Sequence, residues 1–191
     1  MSSKKGILFV VSGPSGAGKG TVLKQLFKLD SSLYYSVSVT TRAPRNNEKE
    51  AINYYFLSKD NFRKMINEDR LLEYTEFCDN YYGTPIDNVD KKLNEGIDVI
   101  LEIEVNGAKQ VKEKRPESIL IFIMPPSVDE LKQRLVGRNT ESEEIISQRL
   151  KEAEIEMKQV AKYDYLVVND FFKRAAVKLF DIIKLERQNK L

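Results

Sequence analysis

A glycine-rich segment near the N-terminus has the residue types and spacing that bind phosphate. It reads Gly13-Pro14-Ser15-Gly16-Ala17-Gly18-Lys19-Gly20-Thr21. Glycines let backbone N–H groups curve around phosphate oxygens, a following helix N-terminus adds positive potential, and the lysine can reach the outer phosphates. The pattern G-x-x-x-x-G-K-[ST] is met through Lys19, but Gly20 stands at the hydroxyl position. Thr21 is therefore the candidate magnesium ligand, with water-mediated binding as the alternative.

This loop alone indicates a protein that binds nucleotide phosphates, and it does not separate a kinase from a GTPase. The guanine-binding motif Asn-Lys-x-Asp of Ras-like GTPases does not follow in the sequence. Its absence disfavours that class without excluding it.

A second segment, residues 38–45, places arginines beside hydroxyl groups. Arg42 and Arg45 lie three residues apart and follow Ser38, Thr40 and Thr41. Guanidinium groups bind phosphate oxygens in a bidentate way, so the pair suits a phosphate ligand. Two solvated surface arginines fit the same pattern, and this segment by itself does not decide between them.

Further along the chain, aromatic, acidic and hydroxyl side chains are mixed. They are Tyr54, Glu73 and the run Asn80-Tyr81-Tyr82-Gly83-Thr84. A carboxylate matches the N1 and N2 donors of guanine, and serine or threonine hydroxyls match its O6 and N7 acceptors. A small β-rich region that packs its own tyrosines is the other interpretation, and composition does not separate the two.

Arginines also occur in a helical segment nearer the C-terminus. Arg134 and Arg138 lie four residues apart and so share a helix face, and Arg149 lies on the next predicted helix. Because acidic residues surround them, a salt-bridged surface is the ordinary interpretation of this pattern.

The elements that carry these residues alternate between strand and helix. Four short apolar runs predict buried strands at 7–11, 98–103, 119–124 and 165–168. Helical patterns lie at 19–29, 86–94, 105–114, 128–136, 141–161 and 171–187. Thr84 with Pro85, Ser127 with Glu130, and Thr140 with Glu143 are their candidate start signals. The alternation predicts an α/β fold with a mainly parallel sheet.

Composition excludes several classes of protein. The chain has 191 residues, a net charge of +2, no histidine and one cysteine. A Ser-His-Asp site, a thiolate zinc cluster and an intrachain disulfide are therefore excluded. The balanced charge argues against a nucleic-acid binder, and the longest apolar run, 119–124, is too short to cross a bilayer. The single cysteine and the polar start, without a signal peptide, predict a cytoplasmic protein.

Taken together, these motifs resemble those of the guanylate kinases, P-loop enzymes that transfer the γ-phosphate of ATP to GMP. The combination Ser-x-Thr-Thr-Arg-x-x-Arg with a later Asn-Tyr-Tyr-Gly-Thr is specific to that family, and the resemblance runs nearly end to end. It implies a P-loop three-layer fold with a core of 1–35, 85–124 and 162–191, a small mixed β-rich GMP-binding insertion at 36–84, and a helical lid at 125–161.

The resemblance also implies roles for individual residues. ATP would be bound by residues 13–21 together with Arg134, Arg138 and Asn169. GMP would be bound by Ser38, Arg42, Arg45, Tyr54, Glu73, Tyr82, Thr84, Glu102 and Glu104, the last two at the end of the second predicted strand. The catalytic residues would be Lys19, Arg42, Arg134, Arg138 and Arg149.

The resemblance further implies a dependence on Mg²⁺ and two small-molecule substrates, ATP and GMP, with no nucleic-acid or membrane partner. Two alternatives remain. One is another nucleoside monophosphate kinase, such as an adenylate kinase, and the other is a non-catalytic guanylate-kinase-like binding module.

Overall fold

A computed structural model describes residues 5–137 and 143–190 of the chain. In chain order the elements are β1 (Leu8–Ser12), α1 (Lys19–Leu29), β2 (Tyr34–Tyr35), β3 (Val39–Thr40), β4 (Tyr55–Phe56), α2 (Lys59–Asn67), β5 (Leu71–Phe77), β6 (Asn80–Pro85), α3 (Ile86–Asn94), β7 (Val99–Glu102), α4 (Val105–Lys114), β8 (Ile119–Met124), α5 (Val128–Val136), α6 (Glu143–Met157), a 3₁₀ helix (Lys158–Lys162), β9 (Tyr165–Val168) and α7 (Phe172–Asn189).

Five parallel strands form the core sheet, in the order β2-β7-β1-β8-β9. The predicted α/β fold with a mainly parallel sheet is confirmed. The predicted strands at 119–124 and 165–168 have the observed bounds, whereas β1 is displaced by one residue and β7 is one residue shorter at each end. Strand β2 was not predicted because it has only two residues and no apolar run.

Helices cover both faces of this sheet. On one face Phe9 and Val11 of β1 pack in a buried cluster that includes residues of α1 and α7. On the other face Leu8 and Val10 pack with residues of α3 and α4. This alternation follows from the period of two along a strand, and it explains why the core strands are apolar at nearly every position.

The insertion between β2 and α3 forms a second, mixed sheet in the order β4-β3-β6-β5. The predicted β-rich insertion is therefore present, and it also contains α2, which was not predicted. Ser58 begins this helix by accepting a hydrogen bond from the Asn61 N–H at 3.2 Å. The helix buries only Phe62, which stacks on Tyr81, so its apolar pattern was too weak to be recognised.

Several predicted helix ends differ from those observed. Thr84 and Pro85 belong to β6, and the Thr84 hydroxyl donates to Glu73 instead of capping α3. The Ser127 prediction is confirmed, since its Oγ accepts from the Glu130 N–H at 3.1 Å. Helix α6 ends at Met157 rather than at residue 161, and the predicted Thr140 cap lies outside the described residues. No helix in the described part of the chain is long and apolar enough to span a membrane.

A buried ionic cluster ties the C-terminal helix to the core sheet. The Arg187 guanidinium donates to Asp98 at 2.6 Å and to Asp30 at 2.8 Å. Asp98 also accepts the Ile7 N–H at 2.7 Å, where the chain enters β1. Arg187 therefore pairs with two carboxylates: Asp98, which directly precedes β7, and Asp30, which directly follows α1.

We predict that Arg187→Met lowers the free energy of unfolding by about 2 kcal/mol, because two largely buried carboxylates lose their partner. The Arg187 side chain is itself 34% exposed, which places the effect below that of a fully buried pair. Urea denaturation followed by circular dichroism measures it. Arg174→Met on the same helix is the control, since its ion pair with Asp170 lies on the surface and should contribute little. Equal effects of the two substitutions would contradict the role of the cluster.

Candidate active site

The phosphate-binding loop joins β1 to α1 in a conformation that its glycines allow. Gly13, Gly16 and Gly18 have φ values of 142°, 88° and 85°. A Cβ on Gly13 would lie 1.9 Å from the Ile123 carbonyl oxygen, so the loop approaches β8 too closely for any side chain there. Gly18 precedes α1 without a side-chain cap, and the first amide groups of that helix therefore suit an anion.

Lys19, the first residue of α1, lies folded over this loop. Its Nζ donates to the carbonyl oxygens of Gly13 and Pro14. Burial lowers the pKa of the Lys19 ammonium, while the negative charges of Glu102, Glu156 and Glu104 act in the opposite direction. The predicted lysine is thus placed at the loop and within the influence of three carboxylates.

Two cavities meet beside this lysine. The loop cavity, of about 430 Å³, is lined by residues that include Gly13, Ser15, Lys19, Glu102 and Arg149. The Glu73 cavity, of about 190 Å³, is lined by residues that include Glu73, Thr75, Tyr82, Gly83 and Gly107. Both cavities share Ser38, Tyr54, Phe77, Glu102, Ile103 and Glu104. The shared wall makes them two parts of one continuous site.

Glu73 is the buried carboxylate of the smaller cavity. It is 5% exposed, and its Oε1 accepts the Thr84 hydroxyl proton at 2.6 Å across the β5–β6 pair. A Cβ on Gly107 would lie 2.7 Å from Glu73 Oε2, so any side chain at this position of α4 would displace the Glu73 carboxyl. Burial raises the pKa of Glu73 to about 7, helped by the charge of Glu104 and opposed by the Thr84 hydrogen bond.

Arg42 is held in place by a carboxylate that sequence reasoning missed. Its Nη2 donates to both Glu48 oxygens, at 2.8 and 2.9 Å, and Glu48 also accepts the Arg45 backbone N–H. The hydrogen bonds that Arg42 donates to Glu48 raise the pKa of the guanidinium, and burial acts in the opposite direction. The Arg42 guanidinium lies 5.6 Å from the centre of the Tyr54 ring, while Arg45 is exposed.

Two tyrosines continue this wall. Tyr54 contacts Tyr82 edge to face, with ring centres 6.0 Å apart. Arg42, Tyr54 and Tyr82 are therefore brought together as predicted, although they are separated by up to 40 residues of sequence. Glu48 could have been suspected from its place in the polar segment that follows the two arginines, but that segment resembled an ordinary loop.

Glu102 and Glu104 both line the two cavities, but only one of them ends a strand. Strand β7 ends at Glu102, whereas Glu104 precedes α4 as its N-terminal cap residue, so the prediction that both end the strand was wrong for Glu104. Glu102 accepts the Tyr35 hydroxyl at 3.2 Å. A Cβ on Gly20 would lie 3.4 Å from Glu102 Oε1, so this carboxylate faces the first turn of α1.

The predicted ATP-binding residues from the C-terminal half lie at two different places. Arg134 donates to the Asn169 carbonyl at 2.8 Å and to the Ala17 carbonyl at 3.4 Å, and the Asn169 side chain donates to Ala17 at 2.8 Å. Both residues therefore meet at the Ala17 carbonyl of the phosphate loop. Arg149 instead lines the loop cavity on α6. The predicted Arg138 lies outside the described residues.

Glu156, also on α6, is a further residue that the sequence did not single out. It lines the loop cavity, and burial raises its pKa, opposed by the charge of Lys19 and the backbone N–H of Ser15. A carboxylate from the helical segment thus lies against the phosphate loop. Nothing in the sequence distinguished it from the other acidic residues of a polar helix.

Comparison with known proteins agrees with this geometry. Residues 5–186 match the sequence profile of the family described as guanylate kinase. The chain is 51% identical over 186 residues to a guanylate kinase of Oceanobacillus iheyensis, covering 97% of this chain and 90% of that one. It is 50% identical over 187 residues to a guanylate kinase of Desulfitobacterium hafniense, covering 98% and 94%.

A solved structure gives the same result for the fold. The chain superposes on the crystal structure of guanylate kinase from Anaplasma phagocytophilum with a TM-score of 0.78 and 33% sequence identity, covering 97% of this chain and 88% of that one. The phosphate loop, the buried carboxylate and the nearly full-length match lead to one conclusion: this chain belongs to the guanylate kinase family.

Proposed function

We propose that the protein transfers the γ-phosphoryl group of ATP to GMP, which yields ADP and GDP. The observation that carries the proposal is the buried Glu73 carboxylate, which lines a cavity continuous with that of the phosphate loop. One half of the site suits a purine with N–H donors, and the other half suits a nucleoside triphosphate.

The guanine base would bind in the Glu73 cavity. An ionised carboxylate accepts hydrogen bonds from N1–H and from the N2 amino group, whereas adenine presents an unprotonated N1 that a carboxylate repels. The Thr84 hydroxyl donates its proton to Glu73, so in this arrangement Thr84 orients the carboxylate and leaves Ser38 as the hydroxyl that faces the base acceptors.

The GMP phosphate would bind to Arg42, Arg45, Tyr54 and Tyr82. Arg42 is already ordered by Glu48, so less side-chain entropy is lost when the phosphate binds. Because a phosphate oxygen of GMP is the attacking group and is already anionic, the transfer needs no strong general base. This agrees with a chain that contains no histidine.

The triphosphate would bind along the loop from Gly13 to Thr21, with Lys19 at its outer phosphates and Asn169 near the adenine. Arg134, Arg138 and Arg149 would neutralise the charge that spreads over the transferred group, a contribution worth roughly 10³- to 10⁵-fold in rate in related enzymes. Positioning and charge neutralisation then account for most of the catalysis.

The residues present fit a magnesium ion, which would supply charge neutralisation on the phosphate oxygens. Mg²⁺ binds through oxygen ligands and is usually held by one or two carboxylates, waters and substrate phosphates. Glu102 and Glu104 offer carboxylates beside Lys19, and Thr21 offers an exposed hydroxyl in the first turn of α1. Within residues 5–137 and 143–190, no group of three or more histidine, cysteine, aspartate or glutamate side chains is arranged so that it could hold a metal ion by itself.

The proposal assigns residues 1–35, 85–124 and 162–191 to the core, 36–84 to the GMP-binding insertion and 125–161 to the lid. Closure of the insertion and the lid on the substrates would exclude water that otherwise hydrolyses ATP. ATP and GMP would be the partners, without a membrane, and the net charge of only +2 argues against nucleic acid. The exposed single cysteine, Cys78, is compatible with the reducing cytoplasm.

The protein should discriminate between nucleoside monophosphates as phosphoryl acceptors. With ATP and magnesium, ADP release measured by a coupled assay should be fast with GMP and near background with AMP, CMP and UMP, because only guanine offers two donors to Glu73. Turnover with AMP in place of GMP would contradict the role of Glu73. A folded protein that binds GMP and transfers nothing would instead be a binding module.

Glu73→Gln tests that role at one atom. The amide replaces one acceptor oxygen by a donor, which faces a guanine N–H, so kcat/KM for GMP should fall roughly 10- to 100-fold. Steady-state kinetics measure the change, and KM for ATP serves as the internal control because Glu73 lies outside the phosphate loop. Unchanged GMP kinetics would remove Glu73 from base recognition.

The pKa of about 7 for Glu73 predicts a pH dependence. The carboxyl is ionised above this value and protonated below it, and only the ionised form accepts both guanine N–H groups. KM for GMP should therefore be nearly constant above about pH 8 and rise towards tenfold per pH unit below about pH 6. Glu73→Gln is the control, since it retains the titration of the GMP phosphate but lacks that of the carboxyl. Parallel profiles in the two proteins would rule the carboxyl out as the titrating group.

A further inference from the structure

The strand that carries Glu73 lies at the edge of its sheet. Strand β5 pairs with β6 on one side only, and Tyr74 of β5 lies opposite Gly83 of β6. An edge strand leaves alternate backbone N–H and C=O groups unpaired and is free to shift unless something covers it. On its other side β5 packs against α4 of the core.

Gln110 of α4 covers this edge at one residue. Its Oε1 accepts the Tyr74 N–H at 3.1 Å, and its Nε2 donates to the Tyr74 carbonyl at 3.0 Å. The side-chain amide therefore makes the two hydrogen bonds that a neighbouring strand would make, and it does so for the residue directly after Glu73.

The same helix contacts Glu73 itself. Gly107 and Gln110 are three residues apart and so lie on one face of α4. Gly107 allows the Glu73 carboxyl to approach to a distance that a Cβ would prevent. Helix α4 thus contacts two consecutive residues of β5. Gly107 leaves room for the Glu73 carboxyl, and the Gln110 amide forms hydrogen bonds with the Tyr74 backbone.

We propose that Gln110 is a positioning residue for guanine selectivity, which acts through the Tyr74 backbone to hold the Glu73 carboxylate in register with the base. This inference rests on the proposed function. A carboxylate that accepts two N–H groups of one base tolerates only small displacements. Without the amide, β5 would keep its pairing with β6 but lose its second support beside Glu73.

A second contact between the same two elements provides a matched control. Lys114, at the end of α4, donates to the Leu71 carbonyl at 2.8 Å and pairs with Asp69. Lys114 thus holds the start of β5 against α4, and neither Lys114 nor Leu71 lines the Glu73 cavity. Loss of Lys114 should therefore weaken the docking without displacing Glu73, whereas loss of Gln110 should displace Glu73.

The experiment compares Gln110→Met with Lys114→Met, using GMP and IMP as acceptors. IMP keeps the N1–H of GMP and lacks its 2-amino group, so the ratio of the two kcat/KM values reports on the carboxylate. We expect Gln110→Met to raise KM for GMP roughly tenfold, as the loss of one to two hydrogen bonds implies, and to lower the GMP-to-IMP ratio severalfold. KM for ATP should change less than about twofold, and Lys114→Met should leave the ratio unchanged. An unchanged ratio in Gln110→Met would overturn the proposal.

A double-mutant cycle tests whether Gln110 acts through Glu73. In the Glu73→Gln background, Gln110→Met should change KM for GMP by less than about twofold, because the group that it positions is already altered. A full tenfold effect in both backgrounds would show independent roles and would contradict the proposal. The rate of GMP phosphorylation by the unaltered protein tests the proposed function separately. If that protein does not phosphorylate GMP at all, the function itself is contradicted, whatever the variants do.

Hydrogen exchange on the unaltered protein remains decisive even if a variant does not fold. Tyr74 and Glu76 are two residues apart, so their N–H groups point to the same side of β5. If the Gln110 amide holds the strand, the Tyr74 amide should exchange at least about tenfold more slowly than the Glu76 amide. Equal exchange rates would overturn the proposal.

Discussion

The burial of one carboxylate is the constraint on which the arrangement of this site depends. Glu73 is 5% exposed and is held by the Thr84 hydroxyl, and burial raises its pKa from 4.5 to about 7. The contribution of Glu73 to the free energy of unfolding is therefore complete below about pH 4.5 and is lost as the pH rises through about 7. Above that pH, the buried ionised carboxylate lowers the free energy of unfolding by about 3 kcal/mol. A buried carboxylate with a raised pKa beside a cavity is typical of a ligand-binding site.

The remainder of the fold supplies the support for that carboxylate. Strand β6 provides Thr84, α4 provides Gly107, and the parallel sheet fixes α4 beside the phosphate loop. The two cavities share a wall because β7 ends at Glu102, next to the strand that leads into the loop. The separation of the two cavities is therefore set by core packing, while the flanking segments carry the arginines.

The sequence predicted those parts of the molecule in which a local pattern has one physical meaning. The glycine loop, the apolar strands β8 and β9 and the helix start at Ser127 are examples. Helix α2 was missed because it buries a single residue, and Glu48 was missed because its polar segment resembled an ordinary loop. Gln110 was missed because its partner is the backbone of Tyr74, 36 positions away. The contact of Thr84 with the base stays a prediction, and the hydrogen bond from its hydroxyl to Glu73 was not predicted. Such contacts depend on tertiary structure and leave no periodic signal.

The most direct test of this account is the titration of Glu73 itself. In protein labelled with ¹³C at the glutamate carboxyl carbons, the resonance that is absent from Glu73→Gln identifies the group. The account predicts that this resonance titrates near pH 7 in the free protein and remains ionised through that range when GMP is saturating. A titration near pH 4.5, or one that GMP does not alter, would contradict the claim that this buried carboxylate binds guanine.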